Sequence, residues 1–270
     1  MAVDGKGGSI RRKQIFPEYK ANRKKGKSRP FNRKYNFQSI ELEKQMMDLQ
    51  LSRLFEYFDY MPITKIMVNY VEADDIIAHI ATTRKDVKHI IMSADKDFLQ
   101  LCSDNVTVWS PTKKILYDKD RVLKEFGIPA HNLALYRALD GDKWDGIPGI
   151  AGWGAKTILK KVEALKDLDH IYNTEELLQY AEKYDIKKLI ENKDIVERNY
   201  ALMQLNDVDI SQSVKTLIDK KIEEKIPRLT KYKVQVMVLE DKLFTVIKNS
   251  TRWLAQVFNY LDACASRINK

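Results

Sequence analysis

Short apolar runs alternate with amphipathic stretches through the first half of the chain. Ala2 and Val3 lead into Asp4-Gly5-Lys6-Gly7-Gly8, the end of a strand and a glycine-rich turn. Met47, Leu51, Leu54, Phe55 and Phe58 recur at i, i+4, i+7, i+8 and i+11, which predicts a core-facing helix from Gln38 to Phe58, ended by Tyr60 and Pro62. Lys65 to Asn69 reads as a strand. Ile76, Ile77 and Ile80 then mark a helix continuing to about Arg84, and Lys88 to Ser93 is another apolar strand. Val106–Ser110 and Lys114–Tyr117 read as short strands around Pro111, followed by helices over Lys119–Phe126 and His131–Leu139. Beyond about residue 160 the pattern is helical and charged, with Leu177, Leu178, Ile186, Leu189, Ile190, Tyr200, Leu202 and Met203 as packing positions. Lys231–Leu239 reads as containing a strand, and Trp253–Leu261 as an amphipathic helix. Strands alternating with helices place the chain in the α/β class.

No apolar run approaches the roughly 20 residues a membrane span needs, and the first residues do not resemble a secretory signal. A cytosolic protein with no membrane partner is expected. Cys102 and Cys264 are far apart in sequence and the four His are scattered, which argues against a zinc site or a disulfide framework. Any metal site is therefore expected to be built from oxygen ligands.

Charge changes the picture by where it lies. Residues 1–35 carry 12 Lys and Arg against only Asp4 and Glu18, leaving 35 basic and 36 acidic residues in 36–270. A cationic segment on a near-neutral body suits a polyanion, with nucleic acid the expected partner; a solvated basic tail or localisation signal is the plainer reading. Phe16, Tyr19, Phe31, Tyr35 and Phe37 are interleaved with these cations, which suits phosphate contact with base stacking. Gly26, Ser28 and Pro30 break any long helix here, so the segment is expected to be mobile without ligand.

Acids cluster where strands meet helices. Glu72, Asp74 and Asp75 fall at a helix start, where Glu72 and Asp75 share a face at i,i+3 and Asp74 points elsewhere. Asp95 and Asp97 follow the next strand, and Asp142 and Asp145 begin a loop with glycines at 141, 146, 149, 152 and 154. Taken singly, each cluster also suits a capped turn or a solvated helix start. Together with Asp4 they form an anionic pit, beyond the carboxyl ends of strands, that hard divalent cations make compatible with phosphate. Pro148-Gly149-Ile150-Ala151-Gly152, followed by Lys156 and a helix, has the pattern of a helix-hairpin-helix whose backbone N–H groups can hold a DNA phosphate.

These pieces resemble the 5′-nuclease family, which includes phage flap endonucleases, 5′→3′ exonucleases and the N-terminal nuclease of bacterial DNA polymerase I. The resemblance rests on Val3 to Gly7, Tyr19-Lys20-Ala21-Asn22-Arg23, Glu72-Ala73-Asp74-Asp75, Ser93 to Phe98 with Gln100-Leu101, and Gly141-Asp142 through Thr157, in family order. It implies a PIN-like α/β core with a central, mostly parallel sheet flanked by helices, a helical arch and a helix-hairpin-helix subdomain. The implied division is a nuclease core over 1–135 with a basic arch at about 11–45, a hairpin subdomain over 136–205, and a C-terminal region over 206–270 packing on the core. Mg²⁺, with Mn²⁺ as a substitute, is implied as two ions, and K⁺ at the hairpin. Asp4, Glu72, Asp74, Asp75 and Asp95 correspond to ligands around the first ion, and Asp97, Asp142 and Asp145 lie nearer the second. Tyr19, Lys20 and Arg23 are the implied catalytic arch residues. Lys6, Arg11, Arg12, Lys24, Lys25, Gly149, Gly152, Gly154 and Lys156 are the expected DNA contacts.

The implied activity is metal-assisted phosphodiester hydrolysis in replication or repair, on DNA with a 5′ flap, 5′ overhang or branched end, or on RNA primer 5′ strands. Phage origin, and so the host cytoplasm, fits the compact spacing of the pieces. Family members carry an Asp-bearing strand and a helix ahead of the strand ending at Asp4, so a further polypeptide supplying that strand is an expected partner. Gly146 stands where the family usually has Asn. A non-catalytic DNA-binding protein and one subunit of a split nuclease are the competing expectations.

Overall fold

Glycine at position 5 lets the first strand lie against the second: a Cβ there would stand 1.7 Å from the Val68 carbonyl oxygen. The strand, β1 (Ala2–Asp4), pairs with β2 (Ile66–Val68), and Gly5 N–H donates to Val71 O while Tyr70 N–H donates to Lys6 O. The computed structural model describes residues 1–25, 39–226, 230–247 and 249–268. These divide into two compact units, one formed by residues 2–27 and 67–218, the other by Met1, 28–66 and 219–270. The units cut the chain at other places than the three-way division implied by the resemblance.

In the first unit, α1 (Ile10–Ile15) and α2 (Ala21–Lys25) follow β1, and α4 (Ala73–Thr83) follows β2, the long helix α3 (Ile40–Asp59) lying in the other unit. A second sheet has the order β3 (His89–Met92), β4 (Val106–Ser110), β5 (Ile115–Tyr117), parallel between β3 and β4 and antiparallel between β4 and β5. The described strands thus form an α/β arrangement in which the expected sheet is in separate pieces. Ile91, Val106 and Val108 face the core with Ala78 and Ala81 of α4. Among the described residues the opposite face is uncovered, leaving Ile90 70% and Met92 73% exposed, with Leu116 exposed beside them on β5.

The rest of this unit is helical. The helices α5 (Lys119–Phe126) and α6 (Leu133–Asp140) lead to a two-residue ladder of β6 (Gly141–Asp142) and β7 (Ile147–Pro148), then to α7 (Ala155–Lys161). After them come α8 (Thr174–Lys183), α9 (Lys187–Glu191) and α10 (Lys193–Met203), the last packed along α6. Leu177, Leu189, Leu202 and Met203 are buried as their spacing predicts. Two buried amides fasten this part. Asn199 donates to the carbonyls of Ala138 and Pro148 at 2.9 and 2.8 Å, and Asn132 accepts from Tyr172 N–H at 3.0 Å.

Helix α11 (Gln212–Glu223) runs across the division, and the second unit is completed by α12 (Lys231–Glu240) and α13 (Ser250–Ile268). Its core is Val234, Val238, Leu254 and Phe258, with Tyr57, Tyr60 and Met61 packed against them. Two expectations are corrected here. Met47, Leu51 and Leu54 of α3 are exposed, because the buried contacts of that helix are made at its C-terminal end. Residues 231–239 form a helix, with Val234, Met237 and Val238 buried at i, i+3 and i+4. The alternating valines at 234, 236 and 238 imitate a strand period, and packing decides otherwise. Phe31, Tyr35 and Phe37, with residues 26–38 of the expected arch, lie outside the described residues.

Gly141 and Gly149 set the loop after α6. A Cβ on Gly141, which has φ +77°, would meet Gly149 N at 2.3 Å, and one on Gly149 would meet Asp140 O at 2.3 Å. Gly149→Ala is expected to lower stability by at least ~2 kcal/mol, read as the urea midpoint at unchanged m-value. Gly154→Ala, with nothing within 4 Å of its Cβ, should cost no more than ~1 kcal/mol.

Candidate metal centre

One cavity of about 160 Å³ collects much of the chemistry: Asp4, Arg12, Tyr19, Lys20, Arg23, Asp74, Asp95, Asp97 and Asp145 line it, over a floor that includes Ile147, Leu202 and Met203. The backbone explains how they meet. Asp4 ends β1 and accepts from Ala73 N–H at 2.7 Å, so the strand end is tied to the first turn of α4. Asp95 caps the 3₁₀ turn Lys96–Leu101 after β3, its Oδ1 accepting from Asp97 N–H at 2.9 Å. Asp95 is thus a capping residue that also lines the cavity. Lys20, at φ +60°, donates its N–H to Asp145 O at 2.9 Å and brings α2 against the loop after β6.

The acids are sorted by whether a cation already neutralises them. Arg12 is 3% exposed. Its guanidinium lies 2.8 Å from Asp75 Oδ1 and 3.0 Å from Asp75 Oδ2, pairs also with Glu72, and donates from Nε to Leu202 O at 2.9 Å. Lys20 takes the other Glu72 oxygen, and Arg11 reaches Asp75 at 3.2 Å. The i,i+3 face predicted for Glu72 and Asp75 is present, and an arginine occupies it. Arg12 is thus internal, where a DNA contact was expected. On the other side, Arg137 pairs with Asp97 and Asp142, and Arg23 pairs with Asp145. Asp4, Asp74 and Asp95 have no ion pair among the described residues.

Titration behaviour follows this sorting. Burial, then the neighbouring Asp95, pushes the Asp74 carboxyl up to about 7. Burial also pushes Asp97 up to about 6, with Arg137 opposing the shift. For Lys20, burial favours the neutral amine, and the bond to Glu72 outweighs it, so the ammonium persists above its ordinary range. Its Nζ also stands 4.8 Å from the centre of the Tyr19 ring. The Tyr19 hydroxyl is raised by burial and by Glu72.

The carboxylates of Asp4, Asp74 and Asp95 are all-oxygen donors in one cavity, and the crowding of Asp74 against Asp95 calls for a cation, so the donor set fits a hard divalent ion. Among the described residues, no three His, Cys, Asp or Glu side chains are gathered as a ready cage for one ion. Mg²⁺ commonly retains several waters, which lets carboxylates act across a wider gap.

The remaining expected residues lie away from the cavity wall. Lys6 and Lys156 are exposed, as are Gly152 and Gly154 in the hairpin, while Gly149 is half-buried against α6. Lys24 and Lys25 end α2, with side chains outside the described residues. Sequence reasoning passed over two residues. Arg137 is a cation at a mostly buried place in an otherwise apolar helix, a signal visible in Leu-Ala-Leu-Tyr-Arg-Ala-Leu. Trp144 lies between Asp142 and Asp145 and is 76% exposed, a large apolar surface with no packing reason.

Comparison with known proteins agrees with this architecture. Residues 1–127 match the 5′-3′ exonuclease N-terminal resolvase-like domain, and residues 128–225 match the 5′-3′ exonuclease C-terminal SAM fold. A 5′-3′ exonuclease of Aquifex aeolicus is 37% identical over 174 residues, 63% of this chain and 56% of that protein. The flap endonuclease Xni of Shewanella halifaxensis is 31% identical over 147 residues, 53% of this chain and 57% of that protein. The chain thus spans little more than half the length of these relatives. T5 5′-exonuclease with divalent metal ions (zinc) bound superposes with a TM-score of 0.65 at 20% identity, over 82% of this chain and 80% of that one. A T5 flap endonuclease complex with DNA and metal ions gives 0.60 at 18% identity, over 88% and 80%.

The fold is that of an α/β resolvase-like domain followed by a helical SAM fold. The chain belongs to the 5′-3′ exonuclease family.

Two expectations follow from the charge sorting. Arg12→Met, which leaves buried Glu72 with only Lys20 and buried Asp75 with only Arg11, lowers stability by about 3 kcal/mol in a denaturant titration. Asp74 binds its proton more tightly folded than unfolded, so its contribution to stability is fully present below the unfolded carboxyl range and is lost as pH rises through about 7. The unfolding midpoint of the ion-free chain should therefore fall between pH 5 and pH 8 more steeply than that of Asp74→Asn.

Proposed function

We propose that this chain is a divalent-metal-dependent, structure-selective 5′ nuclease that hydrolyses phosphodiesters in DNA bearing a 5′ flap, overhang or branch. The observation that carries the reading is the grouping of three uncompensated carboxylates, Asp4, Asp74 and Asp95, in the cavity that Lys20 and Arg23 also line. The metal ions described for the T5 neighbours accord with it. Asp4, Asp74 and Asp95 hold Mg²⁺, with Mn²⁺ as a substitute. When bound, the ion lowers the pKa of a water and stabilises charge on the phosphate.

The chain's own residues bind and orient the substrate. Lys20 and Arg23 present positive charge at the cavity, and each exchanges its carboxylate, Glu72 or Asp145, for a phosphate oxygen when the strand enters. Tyr19, buried beside Lys20, holds that lysine's direction by its ring. Trp144 offers an exposed face for an unpaired base. Lys6 and Lys156, both exposed, add sequence-independent contacts to the backbone. Among the described strands β3 is at a sheet edge, where a strand from another polypeptide would pair, and the exposed Ile90 and Met92 would be covered by a segment flanking it.

The test is cleavage of a 5′-labelled flap duplex. Cleavage with Mg²⁺ or Mn²⁺ that stops with EDTA and falls by about two to three orders of magnitude in Asp74→Asn supports the reading. Metal-independent cleavage, or metal-dependent cleavage untouched by Asp74→Asn, contradicts it. Flap binding without cleavage favours a DNA-binding role instead.

A further inference from the structure

The second acidic pair has a cation built into the protein. Arg137 projects from α6, and its side chain is 18% exposed. Nε stands 3.1 Å and Nη2 2.9 Å from Asp97 Oδ1, and Nη2 is also 2.5 Å from Asp142 Oδ2. One guanidinium therefore spans carboxylates from two separate segments, the 3₁₀ turn after β3 and the strand β6.

Both carboxylates are held in place from behind. Asp142 Oδ1 accepts from Trp144 N–H at 2.7 Å and Asp145 N–H at 3.2 Å, which leaves Oδ2 facing Arg137. The backbone of Asp97 is fixed by Gln100, whose amide donates to Asp97 O at 2.8 Å and to Met203 O at 3.0 Å. A divalent ion bridging Asp97 and Asp142 would have to stand where Nη2 stands. Expelling Arg137 would leave its charge unpaired in a mostly buried position, a cost that a fully hydrated ion arriving from water has to exceed.

Resting on the nuclease reading above, we propose that Arg137 is the resident second cation of the acidic site. It neutralises Asp97 and Asp142 in place of a metal, so the chain holds one divalent ion tightly, at Asp4, Asp74 and Asp95. Arg137 is a positioning residue: it fixes the two carboxylates and excludes a second ion, and it does not line the cavity itself.

Counting bound Mn²⁺ on the full chain tests this, by the loss of the free-ion electron paramagnetic resonance signal, with thermal unfolding run alongside. One tight ion is expected for the wild type and for Arg137→Lys, which keeps the charge. A second tight ion is expected in Arg137→Met, where the charge is gone and the carboxylates remain. Two tight ions in the wild type, or one in a folded Arg137→Met, overturns the proposal while leaving the nuclease reading intact. No tight ion in any of them overturns both. Should Arg137→Met fail to fold, the wild-type count alone decides.

Discussion

A guanidinium that is almost wholly removed from water must have its charge met inside the protein, and Arg12 meets it at Glu72 and Asp75. The same side chain reaches Leu202 O, so α1, the start of α4 and the end of α10 are joined at one buried point. Removing one partner unbalances the charge of the cluster in a low dielectric, which costs more than the intact pair contributes. The cavity forms around this tie. The first turn of α4 is held so that Asp74 faces Asp95 and Asp4, and α1 leads to Tyr19 and Lys20.

The acidic residues thereby take three physical roles that their sequence spacing does not separate. Glu72 and Asp75 bind an internal arginine and belong to the framework. Asp97, Asp142 and Asp145 are matched to Arg137 and Arg23. Only Asp4, Asp74 and Asp95 remain without a counter-ion among the described residues, and the upward shift of Asp74 is the cost of that arrangement in the absence of a cation. A site with surplus negative charge next to Lys20 and Arg23 is suited to bring a hard cation and a phosphate together.

Much of this was legible in the sequence because local chemistry set it. The strand ending at Asp4, the helix starting at Glu72, the turn at Asp95 and the tight loop from Gly141 to Gly154 all stand where their apolar runs, acids and glycines predict. The divergent faces of Glu72 with Asp75 and of Asp74 also followed from helical spacing. What the spacing could not give was the partner on each face, because Arg12 is 60 residues from Glu72 and Arg137 is 40 from Asp97. Basic residues near the chain start read as a DNA surface, and burial turned one of them into a structural ion pair. Likewise, valines at period two suggested a strand at 231–239, where long-range packing in the second unit selects a helix.

The most direct measurement compares Asp74→Asn with Asp75→Asn by thermal unfolding, each with and without Mg²⁺. Asp74→Asn should raise the ion-free midpoint and abolish the rise caused by Mg²⁺, because it removes an uncompensated carboxylate that holds the ion. Asp75→Asn should lower the ion-free midpoint, because it takes a carboxylate from both Arg12 and Arg11, and should keep the Mg²⁺-induced rise. The opposite pattern, with Asp75 governing the response to the ion and Asp74 governing ion-free stability, would contradict the sorting of acids on which the account rests.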